Sequence, residues 1–144
     1  MSRNKLGKSI LTFVLVVGAV VSTVVDWNTT HLFNPAWHPH ARFHDALFLL
    51  MLDAMSLVAL WLLWRQSKEP EIGLKVAALF AAAVWTPFFY IEALIPGTSL
   101  LAADDVPVLR VAGMSFPPNL IIAAVLVLLT VIAYWLAHDA TNDA

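Results

Sequence analysis

The run LIIAAVLVLLTVIAYWL, residues 120–136, decides the fold of this chain. It contains no charged side chain, and it is long enough for a helix, rising about 1.5 Å per residue, to cross most of a bilayer core about 30 Å thick. Three further apolar runs have the same character, at residues 6–25, 46–64 and 72–94. A backbone in lipid must satisfy its own hydrogen bonds, and four short segments cannot close a barrel, so all four runs are predicted to be helices. We therefore predict an all-α integral membrane four-helix bundle that forms a single domain over residues 1–144.

The composition agrees with a membrane protein. The chain of 144 residues is 60% apolar and only 12% charged, whereas about a quarter of the residues in an average soluble domain are charged. The predicted partner is therefore the lipid bilayer. The net charge of −2 and the lack of a basic patch argue against nucleic acid. There is no cysteine, which excludes disulfides and thiolate metal sites.

The basic residues predict the orientation of the spans. Six of them fall at one end of the predicted bundle, and only Arg42 and Arg110 fall at the other. Because basic loops stay in the cytoplasm, both termini are predicted to be cytoplasmic and the two longer loops extracytoplasmic. The first span is expected to be an uncleaved helix, because its apolar run exceeds the usual length of about 7 to 15 residues in a signal peptide. The connection 65–71 is short, so the second and third spans should be antiparallel neighbours, and residues 95–119 are predicted to form a structured outer cap. The six basic residues are Arg3, Lys5, Lys8, Arg65, Lys68 and Lys75.

Four of the five histidines lie in one polar segment between the first two spans, DWNTTHLFNPAWHPHARFHD, residues 26–45. Proline is well tolerated in the first turn of a helix, so the second helix is predicted to begin near Pro39, above its apolar run. That start puts His40 and His44 four residues apart on one helix face. Imidazoles in this arrangement, with a carboxylate nearby, can ligate copper, iron or zinc. The predicted metal ligands are Asp26, His31, His40 and His44.

Two other interpretations of this segment stay open. Its side chains can cross-bond the loop and satisfy backbone groups at the membrane surface, or hold a ligand, and some of its histidines can simply be solvated. Arg42 predicts either a bidentate pair with a carboxylate such as Asp45, closing the loop onto the bundle, or a grip on an anionic substrate or lipid headgroup. The further ligand-binding candidates in the segment are Trp27, Asn28 and Asn34.

An acidic residue, Asp53, falls near the middle of the second span. Insertion scales put the cost of a central aspartate at about 2.5 to 3.5 kcal/mol, so Asp53 is predicted to be protonated or bonded to a donor. The candidate donors are Ser56, Thr86 and Tyr90. An intramembrane acid predicts a functional site, and the alternative is a polar contact between helices.

A second acidic residue, Glu92, falls near the outer end of the third span. Pro87, five residues earlier, lacks an N–H and should kink that helix. The kink, the acid and the surrounding aromatic residues predict a pocket wall that opens toward the histidine segment. The alternative is that the aromatic side chains of Trp85, Phe88 and Phe89 simply face lipid. Trp85 and Tyr90 are the aromatic candidates for ligand binding there.

The run WNTTHLFNPAWHPHARFH, from Trp27 to His44, resembles a family of small, uncharacterised four-span membrane proteins. The recurring pattern of that family is close to WNxTHxxNPxWPPHARFH. His38 stands where the pattern has a proline, which makes it the weakest candidate ligand. The resemblance covers this segment and the general four-span layout, and it implies a fold and a site while leaving the function open.

Three functions stay open. The first is a binding protein that holds an apolar small molecule or lipid through a cluster of histidine, arginine and acidic side chains at the outer membrane face. The second is a membrane enzyme, either an oxidoreductase using copper, iron or zinc or a metal-free isomerase, with His40, His44 and Glu92 as its catalytic residues. The third is a subunit or assembly partner of a membrane complex, or a homo-oligomer.

Overall fold

The computed structural model of the protein describes residues 2–101 and 106–142. Within them, four helices are long and apolar enough to cross a membrane, as the sequence predicts. Residues 102–105, which belong to the predicted cap, lie outside the described residues. The helices and strands are α1 (Arg3–Asp26), α2 (Pro39–Trp64), α3 (Pro70–Trp85), α4 (Ile91–Leu94), β1 (Leu109–Val111), β2 (Met114–Phe116) and α5 (Pro118–Asn142).

The third span differs from its prediction as one continuous helix over residues 72–94. Its α-helix ends at Trp85, and a 3₁₀ turn, Thr86–Phe89, follows before the short α4. Pro87 is the cause, because it has no N–H for the carbonyl one turn earlier and its ring crowds that turn. The expected kink is confirmed, and it takes the form of a break.

The four long helices form a closed square. α1 packs against α2 and α5, α3 packs against the same two helices, and α1 also touches α3 across the centre. The short connection between α2 and α3 makes them antiparallel neighbours, as predicted. Leu11 and Val14 of α1, with Leu74 and Ala77 of α3 and Ala133 of α5, form part of the buried core. Large apolar side chains such as those of Leu57 and Leu79 point outward. An apolar surface of this kind is more stable in lipid than in water.

Two glycines allow helices to cross at backbone distance. A Cβ on Gly7 would collide with the backbone of Ala133 and Ala137 on α5, and a Cβ on Gly73 would collide with the Leu62 carbonyl on α2. Small residues are the usual means by which membrane helices approach closely. These contacts close the end of the bundle at which the chain begins and ends.

The connection between α4 and α5 contains an element that the sequence did not predict. β1 and β2 form an antiparallel hairpin, with Leu109 opposite Phe116 and Val111 opposite Met114. Ala112 and Gly113 make the turn, and both have positive φ, as a two-residue type I′ hairpin requires. The described part of the predicted cap is thus structured, partly as a hairpin.

Candidate functional site

The loop between α1 and α2 is held by its own asparagines. The Asn28 side-chain Nδ2 donates to the Val25 carbonyl, and its Oδ1 accepts from the Thr30 amide at 2.7 Å. The Asn34 Oδ1 accepts from the Ala36 amide at 2.9 Å. Side chains that bond backbone groups two residues away stabilise turns, so these asparagines build the loop on which the histidines stand.

His38 acts as the N-cap of α2. Its Nδ1 accepts from the His40 amide at 3.2 Å, and Pro39 occupies the first helical position. This confirms the predicted start of the helix near Pro39. A capping side chain satisfies one of the amides that have no partner within the first turn.

The histidines of the segment fall into two groups. Nine residues at about 100° each place His40 opposite Leu49, which is buried against the core. His40 and His44 lie side by side on this outward face, with their Nε2 atoms 3.0 Å apart, and the His40 ring stacks on Phe43 at 6.0 Å. Their predicted i, i+4 adjacency is therefore present, but on the side of α2 that faces away from the bundle.

His31 belongs to the second group, at the end of α1. Its Nε2 lies 3.8 Å from Oδ1 of Asp26, and its Nδ1 lies 2.8 Å from the Thr30 hydroxyl. Its ring meets that of Trp37 edge-on at 6.1 Å. The Asp26 and His31 side chains are about a quarter exposed, at 25% and 26%, so the pair is accessible but partly withdrawn from solvent.

Arg42 and Asp45 point toward the bundle rather than toward His40 and His44. Arg42 donates from Nη2 to the Trp37 carbonyl at 3.3 Å. The Arg42 Nε and the Asp45 Oδ2 are buried, and neither has a hydrogen-bond partner among the described residues. The bidentate Arg42–Asp45 clamp is therefore wrong, because the arginine bonds a backbone carbonyl instead. Asp45 lies within electrostatic reach of both His31 and Asp26.

Glu92 and Tyr90 lie at the end of the third span, after its α-helix has ended at Trp85. The Glu92 Oε1 accepts from the Leu100 amide at 2.7 Å, which ties the following loop to α4. Tyr90 is half-exposed and joins the 3₁₀ turn to α4. Their part in ligand binding or catalysis stays a prediction, and the Glu92 carboxylate is already engaged in holding the loop.

Asp53 faces α1 in the middle of the second span. Its two carboxylate oxygens lie 3.4 and 3.3 Å from the Thr23 hydroxyl. The donor is therefore on α1, and it is none of the three candidates proposed from the sequence. Asp53 also lines two adjoining lipid-side hollows between α1 and α2, of about 420 and 520 Å³, the second bounded by Trp27.

A third cavity, on the other side of α1, is lined by several of the residues that the sequence predicts for a binding site. Its volume is about 410 Å³, and it lies between α1, the 3₁₀ turn, the loop after α4 and the start of α5. Trp85 and Phe88 form an aromatic wall, with their rings 5.4 Å apart. Its polar lining residues are Ser22, Asp26, His31 and Asn119, and the Asn119 amide is engaged with the Leu100 carbonyl.

The predicted metal ligands are not gathered into one site. Over residues 2–101 and 106–142, no group of three or more histidine, aspartate or glutamate side chains is spaced to hold a metal ion. His40 and His44 form one pair, while Asp26 and His31 form another on a different face. Sequence reasoning missed Ser22, Thr23 and Asn119, which carry no motif, and it gave Thr30 no role although Thr30 lies within the quoted run.

Four apolar helices and a polar loop between the first two define the class: a multi-pass protein with helices suited to a lipid bilayer. Residues 10–139 match a family described as a family of unknown function, DUF6640, and the chain belongs to that family. This agrees with the resemblance to an uncharacterised four-span family. Searches of curated proteins and of solved structures gave no significant match.

Proposed function

We propose that this protein binds a lipophilic small molecule, or one chain of a lipid, in the cavity between α1, the 3₁₀ turn and α5. The observation that carries the proposal is the cavity itself, about 410 Å³ in volume, with the Asp26–His31 pair at its rim. Ligand sites are typically apolar clefts of about 300 to 1,000 Å³ with a few polar groups that orient the ligand. The apolar body would pack on Trp85 and Phe88, and the polar end would meet Asp26 and His31.

The residues of the original cluster take different parts in this proposal. Asp26, His31 and Trp85 line the cavity, whereas Asn28 and Asn34 hold the loop that carries His31. Trp27 and Asp53 line the hollows on the opposite side of α1. Arg42 fixes the end of that loop through the Trp37 carbonyl.

The test follows the indole N–H signal of Trp85 by NMR in lipid nanodiscs, with 1-decanol added as a stated fraction of the lipid. Binding in the cavity is expected to shift the Trp85 signal in a saturable way. The Trp135 signal is the internal control, since Trp135 is exposed on α5. Equal, unsaturable shifts of both signals would overturn the proposal.

A filling substitution sharpens this test. Ser22→Trp places a bulky ring in the cavity and is expected to abolish the saturable shift. Leu128→Trp, at an exposed position on α5, adds the same ring to the surface and is expected to leave it intact. Retention of the shift in Ser22→Trp would place the ligand elsewhere.

A second candidate function is metal binding at His40 and His44, favoured by the 3.0 Å separation of their Nε2 atoms. Two nitrogens at about 2.0 to 2.1 Å from one ion and 3.0 Å apart subtend an angle of about 95°. That angle suits the tetragonal geometry of Cu²⁺ better than tetrahedral Zn²⁺. Calorimetry with Cu²⁺ on protein without a histidine tag is expected to show a site lost in His44→Ala and kept in His31→Ala. No difference between the two variants would end this candidate.

We also propose that both termini are cytoplasmic and that the histidine loop is extracytoplasmic. Support comes from the end of the bundle that holds the termini, where Lys8 lies over the Trp64 ring at 5.8 Å and Arg65 over the Trp61 ring at 5.3 Å. Tryptophan rings are typical of either membrane interface, and an excess of basic residues is typical of the cytoplasmic one. Because the chain has no cysteine, the single variants Gln66→Cys and Thr29→Cys can be labelled in intact cells with a membrane-impermeant maleimide. Thr29→Cys is expected to react and Gln66→Cys is not, and the reverse pattern would overturn this orientation.

A further inference from the structure

The hydrogen bonds around Asn28 determine which atom is the donor in each bond of the series from Asn28 through Thr30 to His31. The Thr30 backbone N–H can only donate, so the Asn28 atom 2.7 Å away is the carbonyl oxygen Oδ1. The Val25 carbonyl can only accept, so the Asn28 atom beside it is the amide nitrogen Nδ2. The orientation of the Asn28 side chain is thus set by two backbone groups.

The Thr30 hydroxyl comes next in the chain of bonds. Its Oγ1 lies 2.6 Å from Asn28 Oδ1, which is an acceptor, so the single hydroxyl proton points at Asn28. The same Oγ1 lies 2.8 Å from His31 Nδ1. With its proton committed, Oγ1 can only accept, so Nδ1 of His31 carries the hydrogen. In the neutral imidazole, Nε2 then has a free lone pair.

That lone pair faces an acceptor. Nε2 of His31 and Oδ1 of Asp26 are 3.8 Å apart, which is too long for a direct hydrogen bond. A donor atom about 2.8 Å from each of them fits between, and it needs two hydrogens to serve both. Asp45 adds a second carboxylate within electrostatic reach of both Asp26 and His31.

We propose that the cavity selects a lipophilic primary amine, whose ammonium group donates one hydrogen to His31 Nε2 and another to Asp26. This inference rests on the proposed function and names the ligand class of the same site. A primary alkylamine is cationic at neutral pH, as lysine is, and it has the hydrogens that the gap requires. A hydroxyl has one hydrogen and no charge, and it satisfies only one of the two acceptors.

The test compares four probes with the same ten-carbon chain in nanodiscs, read by the Trp85 indole signal. Decylamine is expected to bind roughly 10- to 100-fold more tightly than decane, the usual worth of a hydrogen bond to a charged group. 1-Decanol should fall between them. Decyltrimethylammonium has the charge but no N–H, so it is expected to bind more weakly than decylamine.

The outcomes separate this inference from the proposed function. If decane binds as tightly as decylamine, the cavity is a ligand site and the amine preference is overturned. If decyltrimethylammonium equals decylamine, charge alone acts and the bridging geometry is overturned. If no probe moves the Trp85 signal saturably, both proposals fail.

Two variants test the proton order directly. Thr30→Val removes the acceptor for His31 Nδ1, whereas Thr30→Ser keeps it. ¹⁵N NMR of the His31 ring is expected to show the Nδ1–H tautomer in the wild-type protein and in Thr30→Ser, and a mixture in Thr30→Val. Decylamine affinity should fall in Thr30→Val and stay near wild type in Thr30→Ser. An Nε2–H tautomer in the wild-type protein would overturn the inference even if decylamine binds.

Discussion

The two ends of the bundle are built differently. At the end holding the termini, Gly7 meets the backbone of Ala133 and Ala137, and Gly73 meets that of Leu62. At the loop end, the third span breaks at Pro87, and space remains on both sides of α1. Both ends are made from runs of similar apolar character, so hydropathy does not distinguish them. Small side chains let helices close on each other, whereas a break and large aromatic rings hold them apart.

The largest effect is expected from breaking the close-packed end with Gly73→Ala. Any Cβ at this position strikes the Leu62 carbonyl, which cannot move without shifting the helix. Overpacking typically costs about 1 to 3 kcal/mol, and the clash with a backbone carbonyl puts this variant at the upper end, about 3 kcal/mol. The loss is measured as the free energy of unfolding in bicelles. Gly18→Ala is the matched control, since its Cβ would lie 3.4 Å from the Trp85 ring nitrogen, near ordinary contact. An equal loss in both variants would show that the two ends do not differ in packing.

The second effect is expected between the two ends, from Asp53→Leu in the middle of α2. A central aspartate costs about 2.5 to 3.5 kcal/mol in lipid, and the long bonds from Thr23 offset only part of this. The variant is expected to raise the free energy of unfolding by about 2 kcal/mol. Thr23→Val should lower it by about 0.6 kcal/mol, because it removes the only donor recorded for Asp53 in the described chain. A loss of stability in Asp53→Leu would mean that the carboxylate has a stronger partner than Thr23.

A third, smaller effect is expected from His38→Ala. The variant removes the cap on the His40 amide, and lost N-caps cost about 1 kcal/mol. Amide exchange at the first turn of α2 is expected to rise, while exchange at the close-packed end stays unchanged. His38→Ser supplies another capping oxygen and should restore protection. Equal exchange in the alanine and serine variants would show that capping at His38 does not hold this turn.

The smallest effect is expected at the surface of the close-packed end, from Arg65→Gln. It removes a cation from the Trp61 face at 5.3 Å, an exposed contact worth about 0.5 kcal/mol. Lys68→Gln removes a positive charge from the same connection and is expected to change stability less. A larger loss in Lys68→Gln would show that net charge, rather than the ring contact, stabilises this end. Chemical unfolding in bicelles measures both.

The sequence predicted most residues of the candidate site, but it did not predict that the histidines would separate into two groups. The prolines and asparagines between α1 and α2 predict an ordered loop, and Pro39 predicts the helix start, because these are local backbone effects. The histidines were expected in one cluster. Each residue turns the helix by about 100°, so His40 and Arg42, two residues apart, point to opposite sides of α2. His40 therefore faces outward and Arg42 inward, and this difference follows from their spacing in the sequence.

The partner of Asp53 shows why the sequence did not predict contacts between different helices. Thr23 lies on a different helix, 30 residues away, and the contact depends on how far α1 slides and turns against α2. That register is set by the sum of many small packing contacts rather than by any local pattern. For the same reason, the sequence did not reveal Ser22 and Asn119, which line the cavity from α1 and α5.

The sequence alone determined four membrane helices, a distortion of the third at Pro87, and a polar loop followed by a helix that begins near Pro39. Each of these follows from the solvation of the backbone in lipid or from the geometry of adjacent residues. Only the tertiary structure decided which polar groups face each other, such as Asp26 with His31 and Asp53 with Thr23, and where space was left unfilled. Those outcomes depend on side-chain size and helix register across the whole bundle, which no single segment specifies.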